Sequence, residues 1–364
     1  MRRNRILLAA LALAVAVTAV VALREQAGPP PEPTAAPETS AELEPDRAPT
    51  GIVALDFADD RHGYAVRRVC RDGPADVCQA HLLATTDAFQ PAEHRDLAPG
   101  VGGYLGGLTG FVVLGPQRLR VGAGPDQHYS GDGGRSWTRV EGEAAPVDGI
   151  PAGSRLERQC QQSRCVLRVV LPGSGQSAAL RHPPALTDPR PLPVPARDGR
   201  WWVVGRAVDG RAPVVASSVD GRDWLVRELP AAPYAGWWQA GVAVAGNAVY
   251  VGVTGPGAEA AGSLLTLYRS GDGGASWARV QAGVASPSLT AALVVGADGE
   301  PRLLDRSGQT VTGTGGGREF RTVAAEQRLP KGTVTWTRGG YLAETPYEHL
   351  VSADGSTWTR LWVA

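Results

Sequence analysis

The phrase Ser130-Gly-Asp-Gly-Gly-Arg-Ser-Trp137 returns as Ser270-Gly-Asp-Gly-Gly-Ala-Ser-Trp277. One position differs between the two copies. A repeat this close constrains the architecture more than composition does, because each copy marks one supersecondary unit that must stack on its neighbours to bury a core.

Weaker copies follow the same template. Ser218-Val-Asp220-Gly-Arg-Asp-Trp224 and Ser352-Ala-Asp354-Gly-Ser-Thr-Trp358 are each one residue shorter. Thr85-Thr-Asp87-Ala-Phe89 is truncated, with Phe in place of Trp. Thr312-Gly-Thr314-Gly-Gly-Gly-Arg-Glu-Phe320 lacks the Asp, and a position near 179–184 has lost the signature. Successive copies lie roughly 40 to 50 residues apart, the period of a four-stranded propeller blade.

The residue types suit a hairpin turn. Asp and Ser side chains bond backbone groups of their own turn. Gly permits positive φ. Trp supplies a large apolar plate that packs back on the sheet. Alternating segments flank the copies, as in Leu264-Leu-Thr-Leu-Tyr-Arg-Ser270 before one box and Trp277-Ala-Arg-Val280 after it. The expected fold class is all-β.

S-x-D-x-G-x-[ST]-W is the Asp-box, or BNR repeat, and this chain resembles the Asp-box β-propellers of the sialidase-like superfamily. Ser130, Asp132, Gly134, Ser136 and Trp137 match every position, as do Ser270, Asp272, Gly274, Ser276 and Trp277. Ser218, Asp220, Trp224, Ser352, Asp354 and Trp358 carry the short form. The resemblance implies that each box is the turn between the third and fourth strands of a blade. Phe57-Ala-Asp-Asp-Arg-His-Gly-Tyr-Ala-Val66 resembles the blade opening of the photosystem II stability and assembly factors. It implies a seven-bladed propeller over residues 51–364. A six-bladed ring is the alternative, with 146–192 or 290–325 as an insertion.

The N-terminus reads differently. Arg2, Arg3 and Arg5 precede an uncharged run from Ile6 to Leu23, closed by Arg24. Residues 1–24 are expected to be a membrane anchor or a cleaved signal peptide, with the basic end cytoplasmic. Residues 25–50, rich in Pro, Ala and Glu, read as a disordered linker. The chain beyond is then extracytoplasmic, anchored to the cytoplasmic membrane or secreted. The 36 basic and 36 acidic residues balance to zero net charge, so the chain lacks the basic footprint of a nucleic-acid binder.

Four cysteines fall in two close pairs, Cys70 with Cys78 and Cys160 with Cys165. In an oxidising compartment such pairs read as local disulfides. Zinc is the rival, although it favours a C-x2-C spacing that these pairs lack.

Candidates for chemistry are few. Trp201, Trp202, Trp237 and Trp238 are assigned to the starts of innermost strands in blades 4 and 5, where they serve either interblade packing or an aromatic ligand platform. Sialidases open on [FY]-R-I-P, whose Arg grips a carboxylate. The nearest string here is Phe320-Arg-Thr-Val323. Tyr347, Glu348 and Asp198 are the residues available for a glycosidase mechanism. Arg67, Arg68, Arg71 and Arg95 are the candidates for the arginine patch that assembly factors use. The six histidines, His62, His81, His94, His128, His182 and His349, are scattered and read as surface or turn residues. Gly313–Gly317 is glycine-rich but sits in the decayed box, not between a strand and a helix. No catalytic residue, cofactor or metal site is expected.

The function these observations favour is a monomeric, non-enzymatic binding or scaffold module for an envelope protein or glycan. A divergent sialidase-like glycoside hydrolase is the alternative. Carboxylates converging with three arginines at one mouth of the channel would favour the hydrolase.

Overall fold

A computed structural model describes residues 51–70, 78–87, 92–101, 108, 110–162, 164–230, 238–256, 261–280, 293–305, 307–324, 328–345 and 347–361. The anchor or signal at 1–24 and the linker at 25–50 lie outside these residues, as do Arg71, Phe89 and Trp237. Among the described residues no helix is long and apolar enough to cross a membrane.

The described chain forms seven antiparallel sheets in sequence order, each from one contiguous segment. Blade 1 contains β1 (Ile52–Phe57), β2 (Gly63–Cys70), β3 (Cys78–Thr85) and β4 (Glu93–Asp96). Blade 2 contains β5 (Gly110–Gly115), β6 (Arg118–Ala123), β7 (Asp126–Ser130) and β8 (Thr138–Arg139). Blade 3 has β9 (Arg155–Gln161), β10 (Arg164–Val170) and β11 (Ser177–Ala179). Blade 4 has β12 (Thr187–Pro191), β13 (Trp201–Arg206), β14 (Pro213–Ser218) and β15 (Leu225–Glu228). Blade 5 has β16 (Gln239–Ala245), β17 (Ala248–Pro256), β18 (Ala261–Ser270) and β19 (Ala278–Arg279). Blade 6 has β20 (Val294–Val295), β21 (Pro301–Leu304), β22 (Thr310–Thr314) and β23 (Glu319–Thr322). Blade 7 has β24 (Thr333–Thr337), β25 (Gly340–Glu344), β26 (His349–Ser352) and β27 (Thr359–Leu361).

The molecule is a seven-bladed β-propeller. Both segments that a six-bladed count would discard form sheets, β9–β11 and β20–β23. Blade 3 has the least regular edge. The incoming chain at Val147 makes a parallel bridge with Leu180, and Val147 N–H donates to the Ala179 carbonyl at 2.9 Å. That segment flanks β11 where other blades carry a fourth strand.

The core lies between blades, because alternation along each strand sends neighbours to opposite neighbouring sheets. On β1, Leu55 and Phe57 pack with Leu342 and Leu361 of blade 7, which closes the ring. On the other face of blade 1, Val66 and Leu82 pack with Val113 and Leu119 of blade 2. Fourth strands are short and polar, as Glu93-His-Arg-Asp96 illustrates.

Two expectations about the tryptophans are corrected here. Trp201 and Trp202 start the second strand of blade 4, not the innermost, because β12 precedes them. Nor do they form a ligand platform. Trp201, Trp202 and Trp238 are 4%, 1% and 3% exposed. Trp201 packs toward blade 3, with Leu156 and Val169. Trp202 and Trp238 pack together between blades 4 and 5.

Cys160 and Cys165 form a disulfide across paired positions of β9 and β10. Cys70 and Cys78 are likewise opposite each other on β2 and β3, and Cys78 is disulfide-bonded. The side chain of Cys70 is outside the described atoms.

Candidate functional site

The boxes come first, because they dominate the sequence. Ser130–Trp137 joins β7 to β8, and Ser270–Trp277 joins β18 to β19. In the first, Ser130 Oγ donates to Asp132 Oδ1 at 2.7 Å and accepts the Gly134 N–H at 2.6 Å. Asp132 also accepts the Ser136 hydroxyl at 2.6 Å and its N–H at 2.9 Å. Asp272 repeats this set with Ser270 and Ser276. These hydrogen bonds, that of the Ser136 or Ser276 hydroxyl foremost, hold both carboxyls well below the usual carboxylate range. The short boxes bond in the same way. Gly221 and Gly355 N–H donate to Ser218 and Ser352 Oγ, both at 2.8 Å, and Asp220 and Asp354 accept the N–H groups that follow.

Each full box also reaches the preceding blade. Trp137 Nε1 donates to the Asp96 carbonyl of blade 1 at 3.2 Å. A Cβ on Gly134 would meet Leu82 of blade 1 at 2.3 Å. The boxes therefore act as turns and interblade contacts, with both carboxylate oxygens of Asp132 and of Asp272 engaged locally.

The more informative chemistry lies at the axis. Asp56, on β1, is 4% exposed at its side chain. Its Oδ1 accepts the Phe57 N–H at 2.9 Å. Its Oδ2 accepts the Val113 N–H of blade 2 at 3.1 Å and is ion-paired with Arg155 of blade 3. Arg338, on the turn between β24 and β25, joins this cluster from blade 7. It donates to the carbonyls of Val113 at 2.9 Å, Gly153 at 2.9 Å and Ser154 at 2.5 Å. These bonds skip blade 1 and tie blade 7 to blades 2 and 3. Burial and the neighbouring Arg155, partly offset by Asp56, lower the Arg338 pKa to about 10. Trp336, two residues earlier on β24, donates Nε1 to the Pro195 carbonyl of blade 4 at 3.1 Å. Arg197 stacks 5.7 Å from its ring centre. Two side chains of blade 7 thus span the ring.

Beside this cluster a cleft of about 530 Å³ opens between blades 2 and 3, lined by Phe111, Arg120, Gln127, Arg155, Glu157, Arg158 and Arg168 among others. Four arginines line it, and each has an acidic partner. Arg120 pairs with Glu157, Arg155 with Asp56, Arg158 with Asp188 and Arg168 with Glu143. The cleft offers hydrogen-bonding groups on a fixed frame.

The remaining candidates are dispersed. Tyr347 is exposed on the turn between β25 and β26, and Glu348 beside it pairs with Arg360. Asp198 lies on the connection between β12 and β13, where it accepts the Arg200 N–H at 3.0 Å. Arg95 is committed to Glu93 and to the Gly133 carbonyl. Arg67 and Arg68 are adjacent on β2 and project from opposite faces, so the described members of this set, Arg67, Arg68 and Arg95, form no single patch. His62 bonds Asp59 Oδ2 at 2.8 Å on the first turn. His349 departs from the expected surface role. It is 4% exposed, and burial lowers its pKa. Its register partner Glu344 has a raised pKa, from burial and from Asp56. Among the described residues no group of His, Cys, Asp and Glu could hold a metal.

Sequence reading missed Asp56, Arg155, Arg338 and Glu344. Asp56 left one trace, a carboxylate inside the apolar strand Ile52-Val-Ala-Leu-Asp-Phe57. The arginines left none.

No protein-family model matches the chain. No curated protein matches it either. Solved structures do. It is similar to a GH74 xyloglucanase from Xanthomonas campestris, at 17% identity and a TM-score of 0.44 over 80% of this chain and 50% of that one. It is similar to YCF48 from Cyanidioschyzon merolae, at 14% identity and a TM-score of 0.37 over 70% of this chain and 92% of that one. It is similar to the Trypanosoma rangeli sialidase, at 10% identity and a TM-score of 0.36 over 86% of this chain and 54% of that one. The chain thus spans half the length of the xyloglucanase. At such identities and scores these likenesses say nothing about chemistry.

Proposed function

We propose that this chain is an exported, membrane-anchored propeller that acts as a non-enzymatic binding or scaffold module for an envelope protein or glycan. One observation carries the reading: Asp56, the buried carboxylate of the axial cluster, is spent on holding blades together. It accepts two backbone N–H groups and an Arg155 ion pair, and Arg338 lies beside it. A glycosidase needs two carboxyl groups free to face the sugar, one to donate a proton and one to attack or activate water. Glu157, which lines the cleft, is likewise paired with Arg120. What remains is a propeller whose cleft between blades 2 and 3 is polar and internally neutralised, suited to hydrogen-bonding a partner rather than to turning over a substrate. The anchor at 1–24 and the linker at 25–50 would hold that propeller outside the cytoplasmic membrane.

A second reading, a divergent glycoside hydrolase, is favoured by one feature. Glu344 is a carboxyl whose pKa is raised by burial, with Asp56 adding to the shift. Such a group is the form a general acid takes.

The test is hydrolysis by the full-length protein of a panel of fluorogenic glycosides, sialosides included. The binding reading expects no turnover. Turnover that Glu344→Gln abolishes would replace it with the hydrolase.

A further inference from the structure

Two cavities of this ring sit in equivalent places and differ in charge. The first, of about 350 Å³, lies between blades 1 and 2 over the box at Gly133, and Tyr64, Glu93, Arg95 and Arg135 line it. A Cβ on Gly133 would lie 2.7 Å from Arg95 Nη1. Tyr64 Oη donates to the Pro116 carbonyl, on the first turn of the next blade, at 2.5 Å. The second, of about 400 Å³, lies between blades 5 and 6 over the decayed box, and Arg269, Arg279, Gly316 and Arg318 line it. A Cβ on Gly316 would lie 2.7 Å from Arg269 Cζ. Tyr250 Oη donates to the Gly299 carbonyl, again on the first turn of the next blade, at 3.1 Å.

In the first cavity the chain supplies its own anion. Glu93 pairs with Arg95 and reaches Arg135 at 3.4 Å. In the second, three guanidinium groups line one cavity, and among the described residues none of them has an ion-pair partner. Arg269 Nε is buried with no hydrogen-bond partner. The guanidinium lies against Gly316 much as that of Arg95 lies against Gly133, and the Asp of the full boxes is here Thr314. Glu300, on the first turn of blade 6, accepts the Gly316 N–H at 3.1 Å. That backbone donor is therefore taken. Arg269 has the Tyr250 hydroxyl as a hydrogen-bonding neighbour, and the three guanidinium groups face the cavity without a carboxylate partner among the described residues.

We propose that the cavity between blades 5 and 6 binds a phosphate group through Arg269, Arg279 and Arg318. Three planar forks of N–H donors match the three terminal oxygens and the double charge of a phosphate better than the two oxygens and single charge of a carboxylate. The external phosphate takes the role that Glu93 fills in the equivalent cavity. The site is distinct from the cleft between blades 2 and 3, and it stands or falls independently of the scaffold reading.

The experiment titrates the full-length protein with inorganic phosphate, and separately with glycerol 3-phosphate, by calorimetry at constant ionic strength set with sodium chloride. Saturable binding is expected well below about 10 mM. Arg318→Gln, on an exposed turn, should weaken it at least about tenfold, and Arg269→Met similarly. Arg135→Gln, in the cavity that holds its own anion, should leave it unchanged. Circular dichroism verifies the fold of each variant, and Arg318→Gln suffices if Arg269→Met does not fold. Binding of both ligands identifies a site open to a phosphorylated glycan or lipid headgroup, and binding of inorganic phosphate alone identifies a free-ion site. No saturable binding of either, or binding that the two variants leave intact, overturns the proposal.

Discussion

Gly274 of blade 5 lies against Trp202 of blade 4, with φ at +90° and room for no Cβ: one placed there would come within 2.6 Å of Trp202 Cη2. The preceding residue, Gly273, also has positive φ, at +69°, but a Cβ there would meet nothing within 4 Å. The two glycines of one box thus serve different ends. One turns the chain, and the other also seats the turn on the preceding blade.

This separates two costs in one experiment. Gly273→Ala should lose only the left-handed penalty, about 1 kcal/mol. Gly274→Ala should lose that and an overpacking cost against a buried indole, about 3 kcal/mol in all. Urea unfolding of the two variants measures the difference. Equal losses would mean that the Trp202 contact adjusts freely and that the box does not set the spacing between blades.

The Arg338 bridge predicts a second loss. Its guanidinium is the donor to three carbonyls of blades 2 and 3. Arg338→Met leaves those acceptors facing an apolar chain and removes a neighbour of Asp56. A loss of about 3 kcal/mol is expected, given roughly 1–3 kcal/mol per unsatisfied buried group and the relief of desolvating one cation. Arg338→Lys should recover little, because one ammonium cannot reach donors on two blades at once. A stability within about 0.5 kcal/mol of the parent for Arg338→Met would remove the axial tie from the account of this ring.

What was legible in the sequence was whatever repeats. Ser130, Asp132, Gly134 and Trp137 recur at fixed spacing because a turn is local, and its chemistry is written in neighbouring residues. Seven sheets follow from the period. The axial cluster was not legible, because Asp56, Arg155 and Arg338 meet only through ring closure, and each occurs once. The tryptophan pair illustrates a middle case. Alternation alone told that Trp201 and Trp202 face opposite ways, and burial on both sides followed only once β13 had a sheet on either flank. The blade count placed them one strand too far inward, because the short β12, with Pro189 and Pro191, has no regular alternation to announce it.

Asp132 predicts an acid limb. Its folded pKa lies below the unfolded value, so the stabilisation is present above about pH 4 and is lost as pH falls through that range. Asp132→Asn should therefore lower the melting temperature at neutral pH and converge on the parent as the pH approaches the acid end. Ser136→Ala, which removes the leading hydrogen bond, should do the same to a smaller extent. A parallel offset at every pH would show that the carboxyl charge is not what the box uses.

Glu344 and His349 predict opposing slopes from one pair of facing residues. They are partners across β25 and β26, and both are shifted mainly by burial, which disfavours whichever form is charged. The Glu344 pKa is raised in the folded state. Above about pH 4.3 the unfolded chain therefore holds fewer protons at this site, and stability falls as pH rises until the folded carboxyl also ionises. The His349 pKa is lowered. Below about pH 6.5 the unfolded chain holds more protons there, and stability falls as pH drops until the folded imidazole is also charged. In the parent the two trends cancel in part between these values. Glu344→Gln should remove the first trend, so its stability relative to the parent should increase with pH. His349→Gln should remove the second, so its relative stability should increase as pH falls below about 6.5. Melting temperatures across pH 4 to 8 decide the matter. Variants whose offsets stay flat would mean that both groups titrate as they do in the unfolded chain, and that Glu344 holds no proton for any acid chemistry at neutral pH.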